Sequence, residues 1–146
     1  AIILAAAGLK RLGLASRIAV FLDPGDSLPA VGQGALGIEC RADRADLMKL
    51  MAPLNHADTA SCVRAERAMS RALAGSCRVP LGGFAEIAGG RLRLRGFVAT
   101  PDGRRMARAE TSGRPENPEA VGEGLARLLK AQGAGEILAE LEAANP

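Results

Sequence analysis

The chain has 146 residues, of which 48% are hydrophobic and 24% charged, and its net charge is +3 at neutral pH. This balance is typical of a soluble globular protein, and no run reaches the ~18 to 20 apolar residues of a membrane span, so the sequence argues against a membrane protein. Interspersed acidic residues and only three aromatic residues argue against a nucleic-acid partner. Cys40, Cys62 and Cys77 lack the paired spacings of metal and redox sites, which predicts reduced thiols in a cytoplasmic protein with no bound metal.

The first predicted element is a strand. Residues 1–8 form a continuous apolar run, typical of a buried strand with neighbours on both sides. Because a natural terminus is not expected inside such a strand, we expect the chain to be a C-terminal fragment of a longer protein. Gly8 leads into a predicted helical turn that carries Lys10 and Arg11, an order in which open sheets present anion sites. The alternative, that both cations only solvate a helix face, stays open.

Turn-forming residues between 22 and 30 predict a loop or a crossing between domains. The next stretch, residues 31–40, is glycine-rich in its first half and typical of a strand in its second half. Gly32, Gly34 and Gly37 do not form the dinucleotide-binding pattern, because no strand clearly precedes them and no helix follows. They indicate a close approach of the backbone to a ligand or to another strand.

Two helices are predicted next. Residues 45–54 carry apolar side chains at helical spacing, and a second helix runs to about Leu73 with Asp58 or Thr59 as its N-terminal cap. His56 lies beside this start. We expect it to cap the helix or to be solvated rather than to catalyse, because no second histidine and no metal-spaced carboxylate accompanies it.

The period then changes to that of strands. Three strands are predicted over 84–88, 91–99 and 104–111, joined by glycine-containing hairpin turns. In the second strand arginine alternates with leucine, so the arginines are expected on the solvated face of a one-sided sheet. Helical patterns return at 119–131 and 136–141. This order predicts an α+β domain in which helices cover one face of a three-stranded antiparallel sheet.

Cys77 lies on the predicted loop between the longer helix and the first strand. Turn-forming residues surround it and Arg78 follows it directly, a setting for an exposed and reactive sulfur. Arg78 and Arg71 would favour the thiolate, whereas the end of a helix would disfavour it. From position alone, the alternative that Cys77 is a small packing residue stays open.

Four segments carry further motifs, in chain order: AIILAAAGLKRLG at 1–13, LPAVGQGALGIE at 28–39, AERA at 65–68 and LAGSCRVPLG at 73–82. Together they resemble the porphobilinogen deaminase family, also called hydroxymethylbilane synthases, over essentially the whole chain. The family usually has Gly-Gly-Cys-Gln-Val-Pro around its cofactor cysteine, where this chain has Ser76 and Arg78 as departures. Neither change removes the thiol.

The resemblance implies a transferase of porphyrin and heme biosynthesis that polymerises four porphobilinogen units into hydroxymethylbilane and releases ammonia. It implies a dipyrromethane cofactor attached through a thioether to Cys77, although the fragment need not carry it. Arg11, with its neighbour Lys10, is implied to bind substrate carboxylates, and Gln33 is a weaker expectation near the cleft. The family's catalytic aspartate lies in the N-terminal half, so we expect no catalytic residue in this chain and no activity from the chain alone.

The family has three domains, two of them resembling periplasmic binding proteins. By that pattern, 1–28 ends the second α/β domain, 29–54 is a return segment of the first, and 55–146 is the cofactor-attachment domain. The resemblance implies a monomeric intact enzyme, while exposed strand edges predict self-association of the fragment. Two other readings stay open: a non-catalytic module that binds a small anion through Arg11 and the glycine loops, and a structural domain that pairs with another copy.

Overall fold

A computed structural model describes residues 2–73 and 80–143 of the chain. Short 3₁₀ turns lie at Ala15–Arg17 and Ala52–Leu54. The longer elements follow one another in this order: α1 (Ala6–Arg11), α2 (Ala45–Met51), α3 (Ala57–Ala72), β1 (Leu81–Ala88), β2 (Arg91–Ala99), β3 (Met106–Gly113), α4 (Pro118–Ala131) and α5 (Ala134–Ala143).

The three strands form one antiparallel sheet in the order β1-β2-β3. Gly89 and Gly90 close the first hairpin with φ of 58° and 73°, a left-handed conformation that glycine adopts without strain. Leu92 and Leu94 are fully buried on one face of β2, whereas Arg91 and the arginines that alternate with the leucines lie on the other face. The predicted one-sided sheet is therefore confirmed.

Helices α3, α4 and α5 cover the buried face of this sheet, which confirms the predicted α+β domain. Met69 of α3 lies over Gly83 and Gly96, which are paired across β1 and β2. A Cβ at Gly83 would lie 2.6 Å from Met69 Cε, and one at Gly96 would lie 2.6 Å from Met69 Sδ. The two glycines thus make room for a long side chain that fills the space between helix and sheet.

The strands predicted within 1–8 and 35–40 are corrected by the structure. Residues 2–5 and 35–40 have no regular structure, and Ala6–Arg11 is helical. A strand needs a paired neighbour to satisfy its backbone, and neither segment has one among the described residues, whereas the alanines around Ala6 favour a helix. The apolar side chains there are exposed, with Ile2 at 81% and Leu36 at 98%.

The predicted cap of the longer helix is also wrong. The N-cap of α3 is His56, whose Nδ1 accepts a hydrogen bond from the Thr59 amide at 3.3 Å. Asp58 and Thr59 both lie inside the first turn. The expectation that His56 caps the helix is confirmed. The third strand begins at Met106, two residues later than predicted, because Thr100–Arg105 form the hairpin loop.

Candidate functional site

The loop that carries Cys77 is placed by two fixed ends. Cys77 itself lies in residues 74–79, outside the described part of the chain. On the helix side, Leu73 is 2% exposed and its amide donates to the Met69 carbonyl at 3.1 Å. On the sheet side, the carbonyl of Pro80 accepts a hydrogen bond from the Ala99 amide at 3.0 Å. Residues 74–79 therefore connect the end of α3 to the start of β1.

Lys10 and Arg11 form the last turn of α1, with both side chains exposed. The Lys10 ammonium lies 5.2 Å from the centre of the Phe21 ring, a cation–π distance. The Arg11 guanidinium makes no ion pair or hydrogen bond within the described residues. Arg11 is therefore the more available of the two cations for a carboxylate ligand.

Gln33 lies in the glycine loop of residues 31–34. Gly32 has a φ of 72°, and Gln33 is exposed beyond it. The Gln33 side chain closes the loop locally, since its Oε1 accepts a hydrogen bond from the Ala30 amide at 3.2 Å. Within residues 2–73 and 80–143, no hydrogen bond or ion pair joins Gln33 to Lys10 or to Arg11. The three residues predicted to bind substrate are thus not joined to one another by polar contacts.

Glu66 is a residue of this region to which the sequence reasoning assigned no role. It lies in α3 and is only 6% exposed. Its Oε1 accepts a hydrogen bond from the Ala85 amide of β1 at 2.8 Å, and its Oε2 accepts one from the Gly32 amide at 2.7 Å. Burial raises the pKa of Glu66, and these two hydrogen bonds lower it by less. The available signal was an acidic residue on the helix face shared by Met69 and Leu73.

Two further contacts hold the glycine loop's entry against the sheet. The carbonyl of Pro29 accepts a hydrogen bond from the Gly83 amide of β1 at 3.0 Å. Val31 packs against the hydrophobic core, and a Cβ at Gly83 would lie 3.3 Å from its Cγ2. Residues 29–32 therefore cover part of the free edge of β1.

A groove of about 660 Å³ lies between residues 32–40, the region of α2, and α3. Its walls are largely apolar and include Leu36, Met48 and Met51, while His56 and Arg67 supply polar groups. Apolar walls with few polar groups are usual for a binding cleft, but here several of the wall residues are themselves strongly exposed.

The arginines on the outer face of the sheet are engaged with neighbouring side chains. Arg93 forms an ion pair with Glu110 at 2.6 Å. Arg95 forms one with Glu86 at 3.2 Å, and its guanidinium lies 5.5 Å from the centre of the Phe84 ring. Only 16% of the Arg95 side chain is exposed, so the expectation of full solvation is wrong for this residue. These contacts favour a structural role for the face.

The two described cysteines, Cys40 and Cys62, are free thiols. Burial raises the pKa of Cys62, and the negative charges of Glu66, Asp58 and Glu86 raise it further, so this thiol resists ionisation. Cys62 therefore does not compete with Cys77 as the predicted reactive thiol. None of the helices within residues 2–73 and 80–143 has both the length and the apolar composition to cross a bilayer.

Comparisons with known proteins assign the chain to a family. A model described as "Porphobilinogen deaminase, C-terminal domain" matches residues 60–131, and one described as "Porphobilinogen deaminase, dipyromethane cofactor binding domain" matches residues 1–49. The predicted thiol at Cys77 falls in the first match, whereas Arg11 and Gln33 fall in the second.

The chain is also similar to curated relatives named porphobilinogen deaminase. It is 66% identical to the one from Nitrosomonas europaea and 63% identical to the one from Methylobacillus flagellatus, each over 97% of this chain. It is 58% identical to the one from Bordetella parapertussis over the whole chain. In all three cases the chain spans 46% of the relative's length.

The fold of residues 57–143 is that of an α+β domain, preceded by the shorter segment 2–56, whose helices pack little against it. The model of the C-terminal domain matches residues 60–131 within it. The chain belongs to the porphobilinogen deaminase family. This result favours an enzyme over the alternative of a non-catalytic module for small anions.

Proposed function

We propose that the chain supplies the cofactor-attachment domain, with parts of the substrate site, of an enzyme that joins four porphobilinogen units into hydroxymethylbilane and releases ammonia. The observation that carries the proposal is the pair of family matches, which together cover residues 1–49 and 60–131. The chain spans 46% of the length of these relatives, and we propose the activity for the whole protein.

Cys77 is the residue that would hold the dipyrromethane, through a thioether. The chemistry suits a thiol, and the loop ends at Leu73 and Pro80 are fixed to the domain, so an attached group would stay close to it. When bound, the cofactor supplies the free pyrrole α-carbon that accepts the first porphobilinogen unit. The acid–base chemistry on the pyrroles is left to the catalytic aspartate that the family carries in its N-terminal half.

Arg11 is the strongest candidate in this chain for binding substrate carboxylates. Each porphobilinogen carries an acetate and a propionate, and a guanidinium binds a carboxylate through two parallel hydrogen bonds. The Arg11 side chain is exposed and free of ion pairs within the described residues, which leaves its N–H groups available to a ligand. Lys10 would add a point charge beside it, and Gln33 a neutral amide donor.

The proposed roles imply a division of the chain into three parts. We propose that residues 1–28 complete the second α/β domain, 29–54 return to the first, and 55–146 form the attachment domain. The exposed apolar side chains of Ile2 and Leu36 fit this division, because they would be covered by the other half of the protein. We propose that the whole enzyme is cytoplasmic and monomeric, and that its other half buries these surfaces. In this chain alone they favour self-association, which sedimentation at increasing concentration would detect as a rising mass.

Intact-protein mass spectrometry tests the proposed attachment. The chain is expressed together with the N-terminal half of the Nitrosomonas europaea relative and incubated with porphobilinogen. We expect this chain to gain the mass of two pyrrole units. The gain should vanish in Cys77→Ala and persist in Cys62→Ala, a matched control that removes a described thiol. An unchanged mass in this mixture, or an adduct that survives Cys77→Ala, would contradict the proposal.

A further inference from the structure

A buried carboxylate joins the glycine loop to the attachment domain. Glu66 contacts the two structures with separate oxygens: Oε1 accepts the Ala85 amide of β1, and Oε2 accepts the Gly32 amide. Gly32 and Glu66 are 34 positions apart in the sequence. The chemistry proposed above makes no use of this carboxylate.

Within the described residues, the hydrogen bond of Gly32 is the last one that joins the glycine loop to α3 or the sheet before the loop becomes exposed. Upstream of it, Pro29 is bonded to Gly83 and Val31 packs on the core. At Gly32 the backbone turns with a φ of 72°, and Gln33 follows at the surface. The hydrogen bond between Gly32 and Glu66 therefore sets the direction in which the backbone continues to Gln33.

We propose that Glu66 is a positioning residue that fixes the glycine loop of residues 31–34 to the domain carrying Cys77, and that it acts through the Gly32 amide. The inference rests on the proposed function in one respect, since it takes Gln33 and Cys77 to serve one site. The contact itself does not depend on that function.

Only a carboxylate suits this position. Each of its two oxygens faces a backbone N–H, and hydrogen bonds to a charged acceptor are stronger than neutral ones. In Glu66→Gln the side chain keeps its length, but only one oxygen remains as an acceptor. Its amide NH₂ would then face either Gly32 or Ala85 donor to donor, and the loop contact can be lost with little change in volume.

Hydrogen exchange measured by NMR on the full 146-residue chain tests the proposal. In Glu66→Gln we expect the Gly32 amide to exchange at least about tenfold faster, since one charge-assisted hydrogen bond is lost. The Thr100 amide, bonded to the Arg105 carbonyl in the β2–β3 hairpin, serves as the internal reference and should keep its rate. Arg67→Gln is the matched control, because it makes a similar change at the adjacent exposed position of α3.

An unchanged Gly32 rate in Glu66→Gln would overturn the proposal. If Gly32 and Thr100 both accelerate alike, the variant has opened the whole domain, and a second measurement decides. This is the scalar coupling across the hydrogen bond between the Gly32 nitrogen and the Glu66 carboxylate carbon in the unsubstituted chain. Its presence supports the proposal and its absence overturns it. Neither measurement involves porphobilinogen or a cofactor, so each can fail independently of the proposed function.

Discussion

Gly122 of α4 lies directly against the carbonyl oxygen of Ala65 in α3, so that a Cβ at Gly122 would overlap this oxygen. The same Cβ would lie 2.8 Å from the Cβ of Ala68. The absence of a side chain at this position lets the two helices approach closely. Because α3 carries Glu66 and is followed by its C-cap Leu73, this helix crossing sets the positions of both residues.

Gly122→Ala should therefore destabilise the domain. Alanine is intrinsically better than glycine in a helix by about 1 kcal/mol, but the overlap is with a backbone atom of α3 that cannot rotate away. We expect a net loss of about 1–3 kcal/mol in the free energy of unfolding, measured with urea. Gly124→Ala, two residues along the same helix, is the control. Its Cβ would lie 3.8 Å from Arg127 Nη2, an ordinary contact distance, so this variant should be slightly stabilised. Equal effects of the two substitutions would contradict the crossing.

The long side chain of Met69 and the small residue Gly96 should be energetically coupled. A Cβ at Gly96 would lie 2.6 Å from Met69 Sδ and 3.2 Å from Leu125 Cδ2. Gly96→Ala should cost about 1–3 kcal/mol by overpacking, and Met69→Ala about 2–5 kcal/mol by leaving a cavity. In the double variant the added methyl enters that cavity. We expect the combined loss to fall short of the sum by about 0.5–3 kcal/mol, whereas strict additivity would show that the two sites do not share space.

Elements defined by a local pattern could be predicted from the sequence. The alternation around Leu92 and Leu94 identified the buried face of β2, because the period of a strand depends only on neighbouring residues. The prediction of a strand at 1–8 was wrong, because the existence of a strand also depends on a paired neighbour, which the sequence of a single segment does not reveal.

The candidate site, too, could be predicted from the sequence only in part. The motif and the change of period predict Cys77 on a loop between helix and strand, and this residue lies outside the described part of the chain. The role of Glu66 could not be found in this way, because it depends on Gly32 and Ala85, which only folding brings to the same carboxylate. An acidic residue on an apolar helix face signals a buried partner without saying which one.

Stability of the β2–β3 hairpin should depend on pH through Asp102. Thr100 Oγ1 donates a hydrogen bond to Asp102 Oδ1 at 2.6 Å, and the Arg104 amide donates another at 3.2 Å. These bonds, the Thr100 one foremost, lower the pKa of Asp102 in the folded protein. The unfolded chain then binds the proton more readily, so the stabilisation is present above the unfolded pKa of about 3.9 and is lost as pH falls through the lower folded pKa.

Asp102→Asn removes this titration. The free energy of unfolding of the unsubstituted chain should exceed that of the variant near neutral pH, and the difference should shrink as the pH is lowered below about 4. Urea unfolding at a series of pH values measures it. A difference that stays constant, or one that grows on acidification, would show that the Thr100 and Arg104 bonds do not favour the ionised form.

The chain alone should not turn over porphobilinogen. It spans 46% of its relatives, and within the described residues no polar contact joins Arg11 to Gln33. The residues proposed to bind carboxylates therefore lack a common frame, and we expect the catalytic aspartate in the N-terminal half of the longer protein. Consumption of porphobilinogen should be at background for the chain by itself and should appear when the N-terminal half of the Nitrosomonas europaea relative is added. Arg11→Ala in that mixture should weaken binding of the substrate carboxylates, raising KM or lowering kcat/KM. Turnover by the unaccompanied chain would show that the catalytic groups lie within these 146 residues.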